Sequence, residues 1–367
     1  MKLLQVTNFF KPSFEAGGVT RVAYSISKYL ATNGHEVTIF TTNRSLNNIN
    51  VETNKCLHVE GMNVYYFENL RKYFPVKIPP IPYYLPFILN RKIQTYDIIH
   101  IHEHRSLLAI IVHHYAKKHN IPYVIQPHGS VLPFFQNQSL KKIFDGIFGN
   151  RILNDASKLI ALTRTEAEQI MKMGIDKGKI EIVPNGIDIS EYSDLPKKGT
   201  FRRKYLLKDA DKVILYLGRL NKIKGIDLLL EAFSSLRHEV NNAKLVIVGP
   251  DDGFLTILKK QTCNFNLEDE VLFIDSLYGR DKLEAYVDAD VLVYPSNYEI
   301  FGLVPFEGIM CNTQTIVTEE CGCSEIFKEA NCGYIVKYGD INSLTNKIKD
   351  CIENPRLNGD VAKSGQQ

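Results

Sequence analysis

Short runs of apolar, β-branched residues recur along the whole chain and alternate with stretches of helical periodicity. Such runs suit strands buried on both faces, and the periodic stretches suit helices that cover them. The pattern predicts an α/β fold built on parallel sheets. In the first half, strands are expected over Lys2–Thr7, Glu36–Thr41, Asp97–Ile101, Pro122–Gln126, Lys158–Ala161 and Lys179–Val183. The clearest helix there is Val19–Thr32, where Val22, Ala23, Ile26 and Leu30 share one face and Gly34 marks the stop. In the second half, the strands read Val213–Leu217, Lys244–Val248, Val271–Ile274, Val291–Tyr294 and Thr315–Val317. Helices are expected between them over Ile226–Val240, Asp281–Val287 and Val304–Cys311.

A chain of 367 residues exceeds what one hydrophobic core usually supports. The pattern divides into a domain over 1–190, a polar, charged linker over 191–212 that contains Pro196 and Gly199, and a domain over 213–367. Two doubly wound domains joined in this way are expected to face a central cleft, with ligands beyond the carboxyl ends of the strands. One segment, Arg71–Ile93, breaks the pattern with five prolines and five aromatic residues among its aliphatic and basic side chains. It reads either as a lid facing an acceptor or membrane, or as an Ω-loop packed on its own domain.

Composition narrows the classes. Residues Met1–Phe10 carry Gln5, Thr7 and Asn8 inside an apolar run, too short and polar for a signal peptide. No stretch approaches the roughly twenty apolar residues of a spanning helix. Seven cysteines without a CxxC pair argue against a disulfide framework and for a reducing, cytoplasmic setting, the cytoplasmic face of a membrane included. Cys321 and Cys323 lack the further ligands that structural zinc requires. The net charge of +3 does not suggest nucleic-acid binding, but it hides an asymmetry. Residues 1–190 hold 22 Lys and Arg against 14 Asp and Glu, or +8; the remainder holds 22 against 27, or −5. The excess fits either a first domain that meets an anionic membrane or an ordinary solvated face.

Candidate chemistry follows the strand ends. Gly17 and Gly18 open the first helix, where glycine admits close approach and unpaired N–H groups face an anion. The turn is not GxGxxG, which argues against a dinucleotide-dependent oxidoreductase. In the second domain, Gly218-Arg219-Leu220-Asn221-Lys222-Ile223-Lys224-Gly225 places Arg219 and Lys224 at a strand's carboxyl end, where two cations could neutralise a diphosphate. Pro295–Gly308 follows another strand, with Glu299 on the loop and Glu307 on a helix whose first turn holds Pro305. Gly302 and Leu303 offer no capping oxygen, so the first N–H groups stay open to a phosphate. Carboxylates flanking such a site suit paired hydroxyls of a ribose and a sugar; alternatively, Glu307 caps its helix and Glu299 is a surface charge. His100, His102 and His104 alternate at a strand end, where they could ligate a metal but read rather as polar packing or acceptor contacts. Asp288-Ala289-Asp290 precedes its strand, unlike a metal-binding DxD, and reads as structural.

In this order the elements resemble the retaining GT-B glycosyltransferases of family GT4. The Gly-Gly turn, Pro184-Asn185-Gly186-Ile187-Asp188, the GRLNKIKG run and the Glu299–Glu307 pair carry the likeness. It implies that Arg219 and Lys224 hold the donor diphosphate, Glu307 the ribose hydroxyls and Glu299 the transferred sugar. Gly302, Leu303 and Val304 would offer backbone to the phosphates, and Gly17 and Gly18 would close on the donor from the other domain. His128, in Gln126-Pro127-His128-Gly129-Ser130, matches the family's histidine beside sugar and acceptor. The implied activity is transfer from a nucleotide diphosphate sugar to a saccharide or lipid-linked acceptor with retention, by a front-face route and without a metal or other cofactor. A nucleotide-sugar epimerase and a non-catalytic sugar-nucleotide-binding subunit share the architecture. The sequence departs from the family at Asn312-Thr313-Gln314 and Gly322-Cys323, and it ends at Gln367, about where relatives begin a terminal crossover helix.

Overall fold

The computed structural model describes residues 1–43, 51–69, 81–134 and 137–354. They form two compact units, Met1–Ile187 and Asp188–Gln367.

The first unit is built on an eight-stranded sheet of order β3-β4-β2-β1-β5-β6-β7-β8. Its strands are β1 (Lys2–Val6), β2 (Glu36–Thr42), β3 (Cys56–Val59), β4 (Met62–Phe67), β5 (Ile98–His102), β6 (Tyr123–Gln126), β7 (Lys158–Ala161) and β8 (Ile180–Ile182). All neighbours run parallel except β3 and β4, a hairpin whose register pairs Val59 with Met62. Glu60 and Gly61, both at positive φ, form the two-residue turn whose twist a hairpin favours. The sequence pattern overlooked this hairpin. The core on one side gathers Leu4, Phe40, Ile99, Ile101, Val112 and Ile125, all fully or nearly fully buried.

The second unit holds a wholly parallel sheet ordered β11-β10-β9-β12-β13-β14. These strands are β9 (Lys212–Leu217), β10 (Ala243–Val248), β11 (Val271–Ile274), β12 (Val291–Tyr294), β13 (Gln314–Thr318) and β14 (Tyr334–Val336). The three-residue β14 also escaped the sequence reading. Chain order reverses between β9 and β12, and loops beyond such a switch point are where open α/β sheets bind ligands. The first sheet reverses in the same manner between β1 and β5.

The stretch 191–212 is folded onto the second unit. Phe201 and Arg202 are buried, and the Arg202 guanidinium donates to Asp290 at 3.0 Å and to the carbonyls of Asp288 and Asp211 at 3.0 and 2.8 Å. Asp288 in turn accepts from the backbone N–H groups of Gly199 and Arg202. The Asp-Ala-Asp run therefore anchors this stretch, in keeping with a structural role. Of Arg71–Ile93, residues 71–80 lie outside the described residues. The rest contains the helix Leu85–Lys92, which sinks Leu85, Leu89 and the following Ile93 into the first core and so packs on its own unit. Among the described residues, no helix is long and apolar enough to cross a membrane.

Candidate functional site

The sequence-predicted cation Lys224 and carboxylate Glu299 meet, and glycine is what lets them. Gly225, at φ +64, ends the turn after β9, and a Cβ there would lie 2.1 Å from the carbonyl oxygen of Pro295 on the loop after β12. Only a glycine permits that approach. The same contact is stitched by Asn297 N–H to the Ile223 carbonyl at 2.8 Å and by the Ser296 hydroxyl to that carbonyl at 3.2 Å. Thus the turn carrying Lys224 lies against the loop carrying Glu299, at the switch point of the sheet.

There the Lys224 ammonium pairs with Glu299 and donates to the Tyr294 hydroxyl at 3.0 Å, while that hydroxyl donates to Glu299 at 2.9 Å. Burial pushes the Glu299 carboxyl up, but Lys224 and the Tyr294 hydroxyl outweigh it and hold it below its ordinary range. Burial, reinforced by the Glu299 charge, pushes the Tyr294 phenol well up, so it remains a donor. Glu299 is consequently ionised and fixed in position before any ligand arrives. Arg219 stands differently: its side chain is 58% exposed and pairs with Asp252 at 3.0 Å.

Glu307 lies on the helix Leu303–Met310 and is buried. Its two oxygens accept from Lys282 and from the Tyr286 hydroxyl, each at 2.8 Å. Lys282 and Tyr286 sit four apart on the helix Gly279–Asp288 and therefore face the same way. The helix carrying Glu307 starts after Gly302, at φ +77 and with no side-chain cap, so the N–H groups of its first turn point outward as anion donors. A Cβ on Gly302 would come within 3.1 Å of the Glu299 Cγ and 3.3 Å of the Cys321 Sγ.

The first unit gathers a second polar cluster at the carboxyl ends of β1, β5 and β6. His102 bridges Gln5 and His128: its Nε2 lies 2.9 Å from the Gln5 carbonyl oxygen, and its Nδ1 lies 2.9 Å from the His128 Nε2. With Gln5 accepting, His102 carries its proton on Nε2 and accepts at Nδ1 from the N–H of His128. His128 then presents an unprotonated Nδ1. Its backbone, like that of Gly129, takes positive φ, and the turn is held by the Gly129 N–H on the buried Glu166 carboxylate at 2.5 Å. Glu166 also accepts from the Leu162 N–H at 2.7 Å, yet burial outweighs both bonds and pushes its carboxyl up to about 6. Gly17 caps the helix Gly18–Thr32 at φ +114 without any side-chain cap. No three His, Cys, Asp or Glu side chains are grouped to hold a metal among the described residues.

Burial pushes His100 down to about 4 and His128 down to about 3, and it lowers His102 and His104 as well. All four are therefore neutral in the folded chain near neutral pH. Unfolded histidines protonate near 6.5, so this stability is complete above that value and is lost as pH falls toward 4. Glu166, raised in the fold, works in the opposite direction but is one group against four. Thermal melts should show the folded chain losing several kcal/mol between pH 7.5 and 5.5, at about 1.4 kcal/mol per histidine. A melting temperature that is flat across that range would contradict neutral histidines.

Sequence reasoning missed Tyr294, Lys282, Tyr286, Gln5 and Glu166, because what each side chain meets is settled by the fold: Lys224 is 70 positions from Tyr294, and Gly129 is 37 from Glu166. Only Lys282 and Tyr286, at helical spacing on one face, carried a readable signal.

The family model described as glycosyl transferases group 1 matches residues 197–367, and that described as glycosyltransferase family 4 matches residues 16–191. An uncharacterized glycosyltransferase of Methanocaldococcus jannaschii is 26% identical over 347 residues, covering 89% of this chain and 83% of that protein. N-acetyl-alpha-D-glucosaminyl L-malate synthase of Bacillus anthracis is 24% identical over 364 residues, covering 97% and 89%. Among solved structures, Anabaena HepE in complex with UDP-glucose superposes with a TM-score of 0.77 at 20% identity, covering 100% of this chain and 93% of its own. WaaG, a glycosyltransferase involved in lipopolysaccharide biosynthesis, superposes with a TM-score of 0.70 at 18% identity, covering 99% and 94%.

Proposed function

Since the chain belongs to the family 4 glycosyltransferases and has the GT-B fold, we propose that it moves a sugar from a nucleotide diphosphate sugar to a saccharide or lipid-linked acceptor, with retention at the anomeric carbon. The observation that carries this reading is the Lys224–Glu299–Tyr294 constellation at the switch point, beside an uncapped helix end. A UDP sugar is the first donor to try, since the HepE structure holds UDP-glucose.

In this reading, Glu307 binds the ribose hydroxyls, and the first-turn N–H groups at Leu303 and Val304, with Gly302, receive the phosphates. Charge grows on the departing diphosphate as the anomeric carbon becomes oxocarbenium-like, and Lys224, Arg219 and the helix end stabilise it without a metal. Glu299 orients the hydroxyls of the transferred sugar. No side chain is proposed as a covalent nucleophile; the leaving phosphate helps deprotonate the acceptor on the same face. His128, through the Nδ1 that His102 leaves unprotonated, accepts from a sugar hydroxyl; Gly17, whose own N–H donates to the Phe14 carbonyl, opens the helix turn from which Gly18 offers its backbone N–H to the anion. The seven cysteines, none of them in a disulfide, support a cytoplasmic setting, and the positive excess of the first unit supports peripheral contact with an anionic membrane there.

A panel of nucleotide sugars, followed by thermal shift and donor hydrolysis with and without a chelator, tests the reading. A UDP sugar at about 100 times its Kd should add about 2.7 kcal/mol to the stability of the folded chain. Stabilisation by no nucleotide sugar would overturn the assignment, and loss of hydrolysis on chelation would overturn the metal-free mechanism. Product analysis separates a glycoside from an epimer.

A further inference from the structure

The segment from Gln138 to Asp155 turns apolar residues outward. Leu140 and Ile143, on the helix Gln138–Phe144, are 66% and 58% exposed, and Ile147 and Phe148, on the wide turn Asp145–Gly149 that leads into the helix Asn150–Asp155, are 54% and 41% exposed. Spacings of three and four put Leu140, Ile143 and Ile147 on one side, and Arg151 continues that row. A single exposed leucine needs no explanation; four large apolar side chains in successive turns do.

The charges of the segment are sorted as well. Asp145, the only acid between Gln138 and Arg151, is buried: both its oxygens accept from Arg105, at 2.8 and 2.6 Å, and His104 lies 3.6 Å away. The next acid, Asp155, pairs with His113 at 2.9 Å and Lys117 at 3.2 Å. Gly149 is required for the inward turn, since a Cβ there would lie 2.6 Å from the Asp145 Oδ1. Lys142 and Arg151 are exposed, Arg151 within the apolar row and Lys142 next to Ile143 in the chain, while Lys141 is half-buried with its ammonium on the Phe134 carbonyl at 2.7 Å. The outward face is thus apolar and positive, with its carboxylate withdrawn.

We infer that this face seats the first unit on an anionic lipid surface: Leu140, Ile143, Ile147 and Phe148 enter the headgroup boundary while Lys142 and Arg151 meet lipid phosphates. This rests on the reading that the first unit contacts a membrane and gives that contact a location. Arg105, which also donates to the carbonyls of Ser130 and Val131, ties the seat to the loop that follows His128. A lipid-linked acceptor arriving at the surface would therefore meet a fixed distance to that loop.

Co-sedimentation of the full chain with phosphatidylglycerol-containing vesicles and with pure phosphatidylcholine vesicles tests the seat. Wild type should favour the anionic vesicles by about tenfold or more, and Lys142→Glu/Arg151→Glu should abolish that preference. Leu140→Ser/Ile143→Ser/Ile147→Ser should lose binding by a similar factor with an unchanged melting temperature, since these side chains are exposed. If wild type binds and the serine variant binds equally well, the seat is overturned but membrane contact stands. If wild type binds neither vesicle, both fall. Self-association that the serine variant loses, measured by light scattering without lipid, would assign the face to a second copy of the chain and overturn the proposal.

Discussion

In a Glu299→Ala variant, sugar transfer should slow by roughly 10²–10³-fold while donor affinity changes by no more than a few-fold. Glu299 is ionised and fixed by Lys224 and Tyr294 before ligand binds. On the proposed reading, its contribution lies in orienting the sugar at the anomeric centre. Losing the carboxylate also strands the buried Lys224 ammonium. Breaking such a pair costs about 3 kcal/mol, less in proportion to the water contact that Glu299 retains. Glu299→Gln keeps the shape and most of the hydrogen bonding, so it should fold closer to wild type yet remain slow. Single-turnover kinetics beside nucleotide titration separates the effects: a defect confined to donor affinity would remove Glu299 from the sugar subsite.

Glu307→Ala should show the reverse pattern, with donor binding weakened by about tenfold or more and turnover at saturation nearly preserved. Here stability and function can be pulled apart. Truncation leaves Lys282 buried and unpaired, at a cost of about 3–5 kcal/mol. The double variant Glu307→Leu/Lys282→Met replaces the pair with apolar groups and should recover most of that stability without recovering donor affinity. If affinity returned with stability, the role of Glu307 would be structural only, and the ribose contact would have to come from elsewhere.

The strands were the readable part of this chain, because both parallel sheets bury their central strands on two faces and so write continuous apolar runs. Where that condition fails, the sequence was silent. The β3–β4 hairpin sits at a sheet edge with β3 half-exposed, and β14 spans only three residues. Glu299, Glu307, Lys224 and Arg219 could be picked out as charges at strand ends, but their pairings could not. Lys224 meets Glu299 through a backbone contact 70 residues away in sequence, at Gly225 and Pro295, whereas Arg219 turns to Asp252. No local pattern encodes such choices. The tyrosines beneath the two glutamates look like ordinary core residues until the fold places carboxylates against their hydroxyls.

The contact between Gly225 and Pro295 also has a bearing on how the chain acquires activity. Lys224 and Glu299 stand 75 positions apart, so the loop closure that unites them is long and is compensated only once β9, β10 and β12 have zipped together. No fragment ending before Pro295 can assemble the pair, even with its first strands in place. During refolding, helical signal should therefore return ahead of nucleotide-sugar binding, and the delay between them marks the moment at which β12 takes its place beside β9.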